Sequence, residues 1–235
     1  PAETLHVWLV MPRLSSHAKI LSIDYSEAEK MPGVVKVITA KDVDGANHLM
    51  MFQFSPRTIA MDQVHKLLVD EKIVNYGNVV AMVVADTKDH AKEAADKVKV
   101  EIEPLPEYMN YLDAVMPDAM RIHPNMDNLY TWQPLFKGDA DKVPDMIDDA
   151  PYSVEGSFYS SREPHMSIEG DTIQAYYDED GLLTVQCKAM TTYFDRDDVA
   201  QAVGLDVEQI RIVENPTGGS FGWAMDAACY SLAAI

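Results

Sequence analysis

Short apolar or alternating runs in the first half of the chain predict strands at residues 5–10, 20–24, 34–39, 79–85 and 98–102. The run 79–85 is apolar throughout, which is typical of a strand that is buried on both faces. A helix is predicted between the last two strands, because apolar residues recur there at helical spacing. These apolar residues are Ala91, Ala94, Ala95 and Val98. Asp86 precedes them as a candidate N-cap, so the segment predicts a β-α-β unit.

Polar residues predict the breaks between these elements. Ser26 and Glu29 have the spacing of a capping box, which favours a short helix that ends before Pro32 and Gly33. Residues 47–63 mix apolar and polar positions around a proline and predict a long loop.

The second half of the chain predicts a connector followed by a β-rich region. Residues from about 113 to 150 carry several prolines and aspartates and favour an extended connector. The β-rich region is predicted to begin near Ser153, with strands at 173–177 and 183–187. A helix is predicted from Asp195 or Asp197 to Val203, and Gly204 is placed to end it.

Residues 209–222 predict a β-branched strand that runs into a glycine-dense turn. The Ala-, Met- and Leu-rich residues 223–235 favour a helix directly after it. This arrangement directs backbone N–H groups and the positive helix end at one point, which suits an anionic group. The glycine spacing matches neither the dinucleotide-binding nor the nucleoside-triphosphate motif. A tight turn without a ligand is the commoner structure for such a loop considered alone.

Charge and composition exclude several classes of protein. A net charge of -19 over 235 residues opposes binding to nucleic acid or to an anionic membrane surface. No run approaches the ~20 apolar residues of a membrane span. The start of the chain has no signal-peptide pattern. A cytoplasmic location is expected. The final helix has no terminator, so the chain is expected to be a piece of a longer protein.

Few side chains are candidates for chemistry. Cys187 and Cys229 are too few for a four-thiolate iron–sulfur cluster and are expected to be buried, reduced thiols. His165 and Glu169 have a spacing that could hold a metal on a helix, but Pro164 favours extended backbone, where the pair would not converge.

Other polar residues favour structural roles. The triplet Asp195, Asp197 and Asp198 lacks calcium-loop spacing and is interpreted as helix N-terminal charge. His17 is interpreted as a structural turn residue. No catalytic residue and no metal ligand is assigned on this chain.

Several segments, in order along the chain, resemble the molybdenum hydroxylases, the family of xanthine dehydrogenase and aldehyde oxidoreductase. The resemblance is closest to the bacterial aldehyde oxidoreductases. The segments are 16–20, 31–34, 38–43, 76–81, 100–106, 163–169 and 218–222. The resemblance implies an α+β fold, in which an α/β-hammerhead domain is followed by the N-terminal part of a mixed α+β molybdopterin-binding domain. The expected boundaries are 1–118 for the hammerhead domain, 119–150 for the connector and 151–235 for the truncated molybdopterin-binding domain.

The resemblance assigns the glycine loop to the cofactor. It implies that molybdopterin with molybdenum, in its cytosine dinucleotide form, lies against a set of loop residues. These residues are Gly218, Gly219, Ser220, Phe221, Gly222 and Trp223. Glycines allow the close approach of the backbone that such contact requires. The implied reaction hydroxylates aldehydes to carboxylic acids with water as the oxygen source, and electrons pass to [2Fe–2S] clusters outside this chain.

Three positions depart from the family pattern. Met190 stands where many relatives carry Gln beside the metal, Gly170 replaces a common Pro, and Trp223-Ala224 replaces a basic or aromatic-basic pair. The base and most cofactor contacts of the family lie beyond residue 235, so no activity is expected of this chain alone. The expected partners are the remaining domains or subunits of the same enzyme.

Two alternatives stay open from the sequence. One is a non-catalytic hammerhead or assembly module that binds partner subunits. The other is a relative that hydroxylates purines or other N-heterocycles.

Overall fold

The computed structural model describes residues 4–49, 65–124, 126–129, 137–225 and 227–235. Its strands are His6–Val10 (β1), Ala18–Asp24 (β2), Val34–Thr39 (β3), His48–Leu49 (β4), His65–Lys66 (β5), Lys72–Ile73 (β6), Ala81–Ala85 (β7), Lys99–Pro104 (β8), Gln174–Tyr177 (β9), Leu183–Cys187 (β10) and Ile210–Glu214 (β11). Its α-helices are Lys88–Ala95 (α1), Tyr111–Ala114 (α2), Val143–Asp148 (α3), Thr192–Val203 (α4) and Ala228–Ala234 (α5). Short 3-10 turns lie at Ala28–Lys30, Ala40–Asp42, Ala140–Lys142, Val207–Gln209 and Trp223–Met225. Within these described ranges, no helix is both long and apolar enough to cross a membrane.

The strand β7 is the centre of an antiparallel sheet in the order β1-β7-β3. Successive side chains of a strand point to opposite faces. Val83 belongs to a core beneath α1, whereas Met82 belongs to a core shared with the second half of the chain. Both faces of β7 are therefore buried, which confirms the prediction from its apolar run.

The predicted β-α-β unit around α1 is wrong. The strand β8 does not join β7 but pairs antiparallel with β2, in a separate sheet of order β6-β2-β8. Ile102 lies opposite Ile20 and Val100 lies opposite Ile23 in that ladder. Hydrophobic spacing predicted the strand correctly, but it carries no information on which neighbour the backbone pairs with.

A β-α-β unit does occur in the second half of the chain. The strands β10 and β11 are parallel and are connected through α4, while β9 pairs antiparallel with the other edge of β10. Gly204 ends α4 in the left-handed conformation with φ of 71°, as predicted. The helix begins at Thr192, earlier than the predicted Asp195 or Asp197.

Both predicted N-caps of the first half are corrected. The side chain of Thr87, not Asp86, accepts a hydrogen bond from the His90 N–H and caps α1. Asp86 instead contacts the His90 ring at 2.6 Å, and this hydrogen bond lowers the pKa of Asp86. Ser26 forms no capping box, because its N–H donates to Asp24 and only a 3-10 turn follows.

The predicted loop and connector differ in detail from the structure. Of the loop predicted at 47–63, residues 50–63 lie outside the described residues, and His48–Leu49 forms β4, paired with β5. The predicted connector is not extended throughout, because it contains the helix α3.

The β-rich region also begins later than predicted. Residues 153–173 form no strand, and within the described residues no strand pairs with them. Their side chains are mostly exposed, including those of Phe158 and Ile168. The alternation of apolar and polar residues in this segment therefore does not correspond to a strand in the structure.

The two halves of the chain share one hydrophobic core. Ile38, Leu68 and Met82 from the first half belong to the same buried cluster as Val185 and Val199 from the second. A mainly hydrophobic contact of this kind favours a fixed arrangement of the two halves.

Candidate functional site

The carboxyl ends of β10 and β11 lie side by side and define one edge of the sheet. The N–H of Asn215 donates to the backbone oxygen of Cys187 at 2.8 Å, and the Gln186 amide donates to the Asn215 side chain at 2.8 Å. Segments that follow parallel strands emerge at the same edge, where open α/β sheets bind ligands. The glycine loop after β11 and Lys188 after β10 therefore start next to each other.

The glycine loop, residues 218–222, has an unusual backbone. Gly219 and Gly222 have φ of 107° and 96°, and Phe221 has φ of 54°. A bulky residue in the left-handed region is uncommon and costs about 1–3 kcal/mol. Such strain persists where the surrounding structure holds it, and it is found most often at ligand-binding sites.

Several N–H groups of the loop are open. The Gly218 N–H donates to Glu169, and the Ala224 N–H donates to the Ser220 hydroxyl. In the part of the chain that the structure describes, no protein atom accepts a hydrogen bond from the N–H groups of Gly219, Phe221 or Gly222. Successive N–H groups with left-handed residues among them form a concavity that suits anions.

The space around the loop also fits a ligand. A Cβ atom added to Gly222 would meet nothing within 4 Å, and the Phe221 side chain is 79% exposed. The Ser220 side chain is buried, and its hydroxyl accepts the Ala224 N–H at 3.0 Å. The residues present therefore fit a group that lies against the main chain and accepts its hydrogen bonds.

The predicted helix after the loop is displaced along the chain. A 3-10 turn occupies Trp223–Met225, and α5 begins only at Ala228. The loop donors are consequently backbone groups of the turn itself, and the positive end of α5 does not abut Gly222.

An ionic cluster around the buried Lys188 lies next to the loop, and two of its members, Lys188 and Asp171, were not predicted from the sequence. The Lys188 ammonium is 2.9 Å from the Asp171 carboxylate and 3.9 Å from that of Glu169. The Asp171 carboxylate also accepts a hydrogen bond from the Trp223 indole. One sequence feature could have pointed to Lys188: it directly follows the alternating run 183–187, which is the strand β10. Its side chain is buried.

The structure separates the other candidate residues. His165 and Glu169 form no metal pair: the His165 ring packs on Trp223 with centroids 5.6 Å apart, while Glu169 binds Gly218. The described residues contain no group of three or more His, Cys, Asp or Glu side chains that could hold a metal ion. His17 is buried with its Nδ1 2.6 Å from the Pro106 oxygen, which supports its structural role.

The acidic triplet and the cysteines also have structural positions. Asp195 lies in the first turn of α4, where it is buried and accepts a hydrogen bond from Thr191. Cys187 is a buried free thiol, and burial raises its pKa to about 12, so it is unreactive. Cys229 is also free but only half-buried, which corrects its predicted burial.

Met190 lies at the same sheet edge as the loop. Its side chain is exposed, and its N–H donates to the Ala224 oxygen at 3.2 Å. This bond joins the end of β10 to the turn that follows the glycine loop. Met190 therefore presents an apolar side chain next to the loop.

Comparisons with known proteins agree with this architecture. The family model described as "Aldehyde oxidase and xanthine dehydrogenase, a/b hammerhead domain" matches residues 3–106, and "Molybdopterin cofactor-binding domain" matches residues 122–235. The aldehyde oxidoreductase of Megalodesulfovibrio gigas is 41% identical over 235 residues, which are 100% of this chain and 26% of that protein. The nicotinate dehydrogenase large molybdopterin subunit of Eubacterium barkeri is 33% identical over 89% of this chain and 46% of its own length.

A solved structure has the same fold. The aldehyde oxidoreductase from Desulfovibrio gigas superposes with a TM-score of 0.87 at 41% identity, covering 100% of this chain and 26% of that one. The chain thus spans about a quarter of the length of this relative. The matched domains, their order and the superposition place this chain in the molybdenum hydroxylase family of xanthine dehydrogenases and aldehyde oxidoreductases, with a hammerhead domain followed by a molybdopterin cofactor-binding domain.

Proposed function

We propose that this chain is part of an enzyme that oxidises aldehydes to carboxylic acids. In that reaction water supplies the added oxygen, and two electrons and two protons leave the substrate and water. The 41% identity to an aldehyde oxidoreductase over the whole chain supports this substrate class. The partners are the remaining parts of the same enzyme, and location in the cytoplasm remains a prediction.

The observation that carries the proposal is the open, strained glycine loop. The N–H groups of Gly219, Phe221 and Gly222 would donate to the oxygen atoms of molybdopterin, and the exposed rings of Phe221 and Trp223 would flank it. The bound cofactor would supply the redox centre that accepts the electrons of the aldehyde. We further propose that the molybdopterin is in its cytosine dinucleotide form. The [2Fe–2S] clusters would lie on other parts of the enzyme, because Cys187 and Cys229 are too few to hold one.

Two glycines allow a matched test of the loop. Gly222 and Gly181 both have positive φ, at 96° and 77°, and an added Cβ would meet nothing within 4 Å at either. Alanine at either position therefore carries the same backbone strain, about 1–2 kcal/mol. Only Gly222 lies in the loop, since Gly181 lies between β9 and β10.

In the full-length protein, we expect Gly222→Ala to lower molybdenum and pterin content about tenfold, because the added methyl occupies the space that the cofactor needs. Gly181→Ala should lower the melting temperature by about as much as Gly222→Ala does, but it should leave the molybdenum and pterin content unchanged. Equal cofactor content in the two variants would show that Gly222 serves only the turn. Valine at position 222 should have a larger effect than alanine.

Two other functions remain alternatives to aldehyde oxidation. The 33% identity to a nicotinate dehydrogenase subunit supports an N-heterocycle as substrate. The second alternative is a non-catalytic assembly module that binds partner subunits. In that case the full-length protein would contain neither molybdenum nor pterin.

A further inference from the structure

Lys188 is a buried cation beneath the glycine loop. Its side chain is 3% exposed, and its ammonium lies 2.9 Å from Asp171 and 3.9 Å from Glu169. It also donates to the backbone oxygen of Glu169 at 3.4 Å. A buried charge is unfavourable unless it is paired, so these contacts keep the ammonium in place.

Each of the two carboxylates holds one end of the loop. Glu169 accepts the N–H of Gly218 at 2.5 Å, and Asp171 accepts the indole N–H of Trp223. Hydrogen bonds to charged acceptors are stronger than those between neutral groups. Residues 218–223 are thus held at both ends, while the donors between them stay open.

The carboxylates themselves lie in a segment with little support of its own. Residues 163–173 form no strand, and Ile168 within them is fully exposed. Lys188, in contrast, directly follows β10, and its backbone oxygen accepts a hydrogen bond from the Tyr230 hydroxyl at 2.6 Å. The rigid partner of the cluster is therefore Lys188.

We propose that Lys188 is the positioning residue of the glycine loop, acting through Glu169 and Asp171 to keep the loop donors in the conformation that receives the cofactor. The assignment to the cofactor rests on the proposed function. The mechanical part, that Lys188 holds residues 218–223, does not depend on it.

The test uses the full-length protein with Lys188→Met, Lys188→Arg and the control Lys99→Met, which removes an exposed ion pair with Glu27. Amide hydrogen exchange is measured on the peptide 215–224 in cofactor-free protein, and molybdenum and pterin are measured in protein grown with molybdate. We expect Lys188→Met to speed exchange in this peptide about tenfold and to lower cofactor content by a similar factor. Lys188→Arg should keep slow exchange and most of the cofactor, because it retains the cation. Lys99→Met should match the wild type in both measurements.

Wild-type exchange in Lys188→Met would overturn the proposal, whatever its cofactor content. Faster exchange with full cofactor content would also overturn it. If the wild-type protein contains no cofactor, the proposed function fails, while the exchange comparison still tests the hold on the loop.

A second pair of variants applies if Lys188→Met does not fold. Glu169→Leu removes the acceptor of the Gly218 N–H from a partly exposed position, and Glu169→Gln retains an acceptor oxygen there. Both variants lack the charge that Lys188 pairs with, so exchange that is equally fast in Glu169→Leu and Glu169→Gln supports the proposal. Wild-type exchange in Glu169→Gln contradicts it, because the hold on Gly218 would then not need the ion pair with Lys188.

Discussion

Gly45 and Gln201 are in direct backbone contact across the two halves of the chain. A Cβ atom added to Gly45 would lie 2.2 Å from the backbone oxygen of Gln201. The same oxygen accepts the N–H of Ala46 at 2.8 Å, and the Gln201 amide lies 3.1 Å from the His48 ring. The hammerhead loop around Gly45 thus closes against the end of α4, next to the shared core.

Gly45→Ala is expected to destabilise the junction of the two halves. The methyl group meets backbone atoms that cannot rotate away, so one segment must shift, at a cost of about 1–3 kcal/mol. Thermal unfolding of the variant measures this cost. Gly170→Ala is the control, because its added Cβ would meet nothing within 4 Å. An unchanged melting temperature in Gly45→Ala would show that the contact is loose.

Gly218→Ala should damage the site more than the fold. The added Cβ would lie 2.7 Å from the Cβ of Glu169, so the carboxylate must leave the Gly218 N–H. Glu169 lies in coil, where displacement is tolerated. We expect a melting temperature close to that of Gly170→Ala but a molybdenum content about tenfold lower. The opposite pattern would assign Gly218 to folding.

Asp178 makes the stability of the second half depend on pH. Its carboxylate accepts the Thr184 hydroxyl at 2.7 Å and pairs with Arg211, and the Thr184 bond is the main cause of its lowered pKa. A lowered folded-state pKa stabilises the fold above the ordinary pKa of Asp, and this contribution disappears as pH falls through the lowered value.

Asp178→Asn should therefore lower the melting temperature at pH about 7, and the difference from wild type should shrink below pH about 4. Asp180→Asn is the matched control, since Asp180 contacts the same Arg211 from an exposed position. A difference that stays constant down to low pH would contradict the assignment.

The intact enzyme is expected to prefer aldehydes to purines. Met190 presents an apolar side chain at the sheet edge beside the loop, and an unpaired purine polar group costs about 1–3 kcal/mol. We expect benzaldehyde or acetaldehyde to be oxidised about tenfold more efficiently than hypoxanthine, measured as kcat/KM with an artificial dye acceptor. Equal or faster oxidation of hypoxanthine would place the enzyme in the purine-hydroxylating branch.

Residues 1–235 produced alone are expected to contain no stoichiometric molybdenum and to oxidise no aldehyde. The chain spans 26% of the aldehyde oxidoreductase relative, so most contacts to the cofactor are expected to lie on other parts of the enzyme. Elemental analysis and an aldehyde oxidation assay test this directly. About one molybdenum per chain would contradict the expectation.

Sequence pattern alone determined most of the local elements. The runs that predicted β1, β3, β10 and β11 are strands in the structure, and Gly204 ends α4 where predicted. These features depend on side-chain alternation and on a single backbone conformation, both of which are local properties. The order of the family segments likewise identified the two domains.

Only the tertiary structure decided which elements meet. The pairing of β8 with β2, the closing of Gly45 on Gln201 and the ionic cluster of Lys188 join residues far apart in sequence. A lysine after a strand looks like any surface cation until two carboxylates from another segment are brought to it. Burial and charge pairing are properties of the assembled packing, so no periodicity along the chain encodes them.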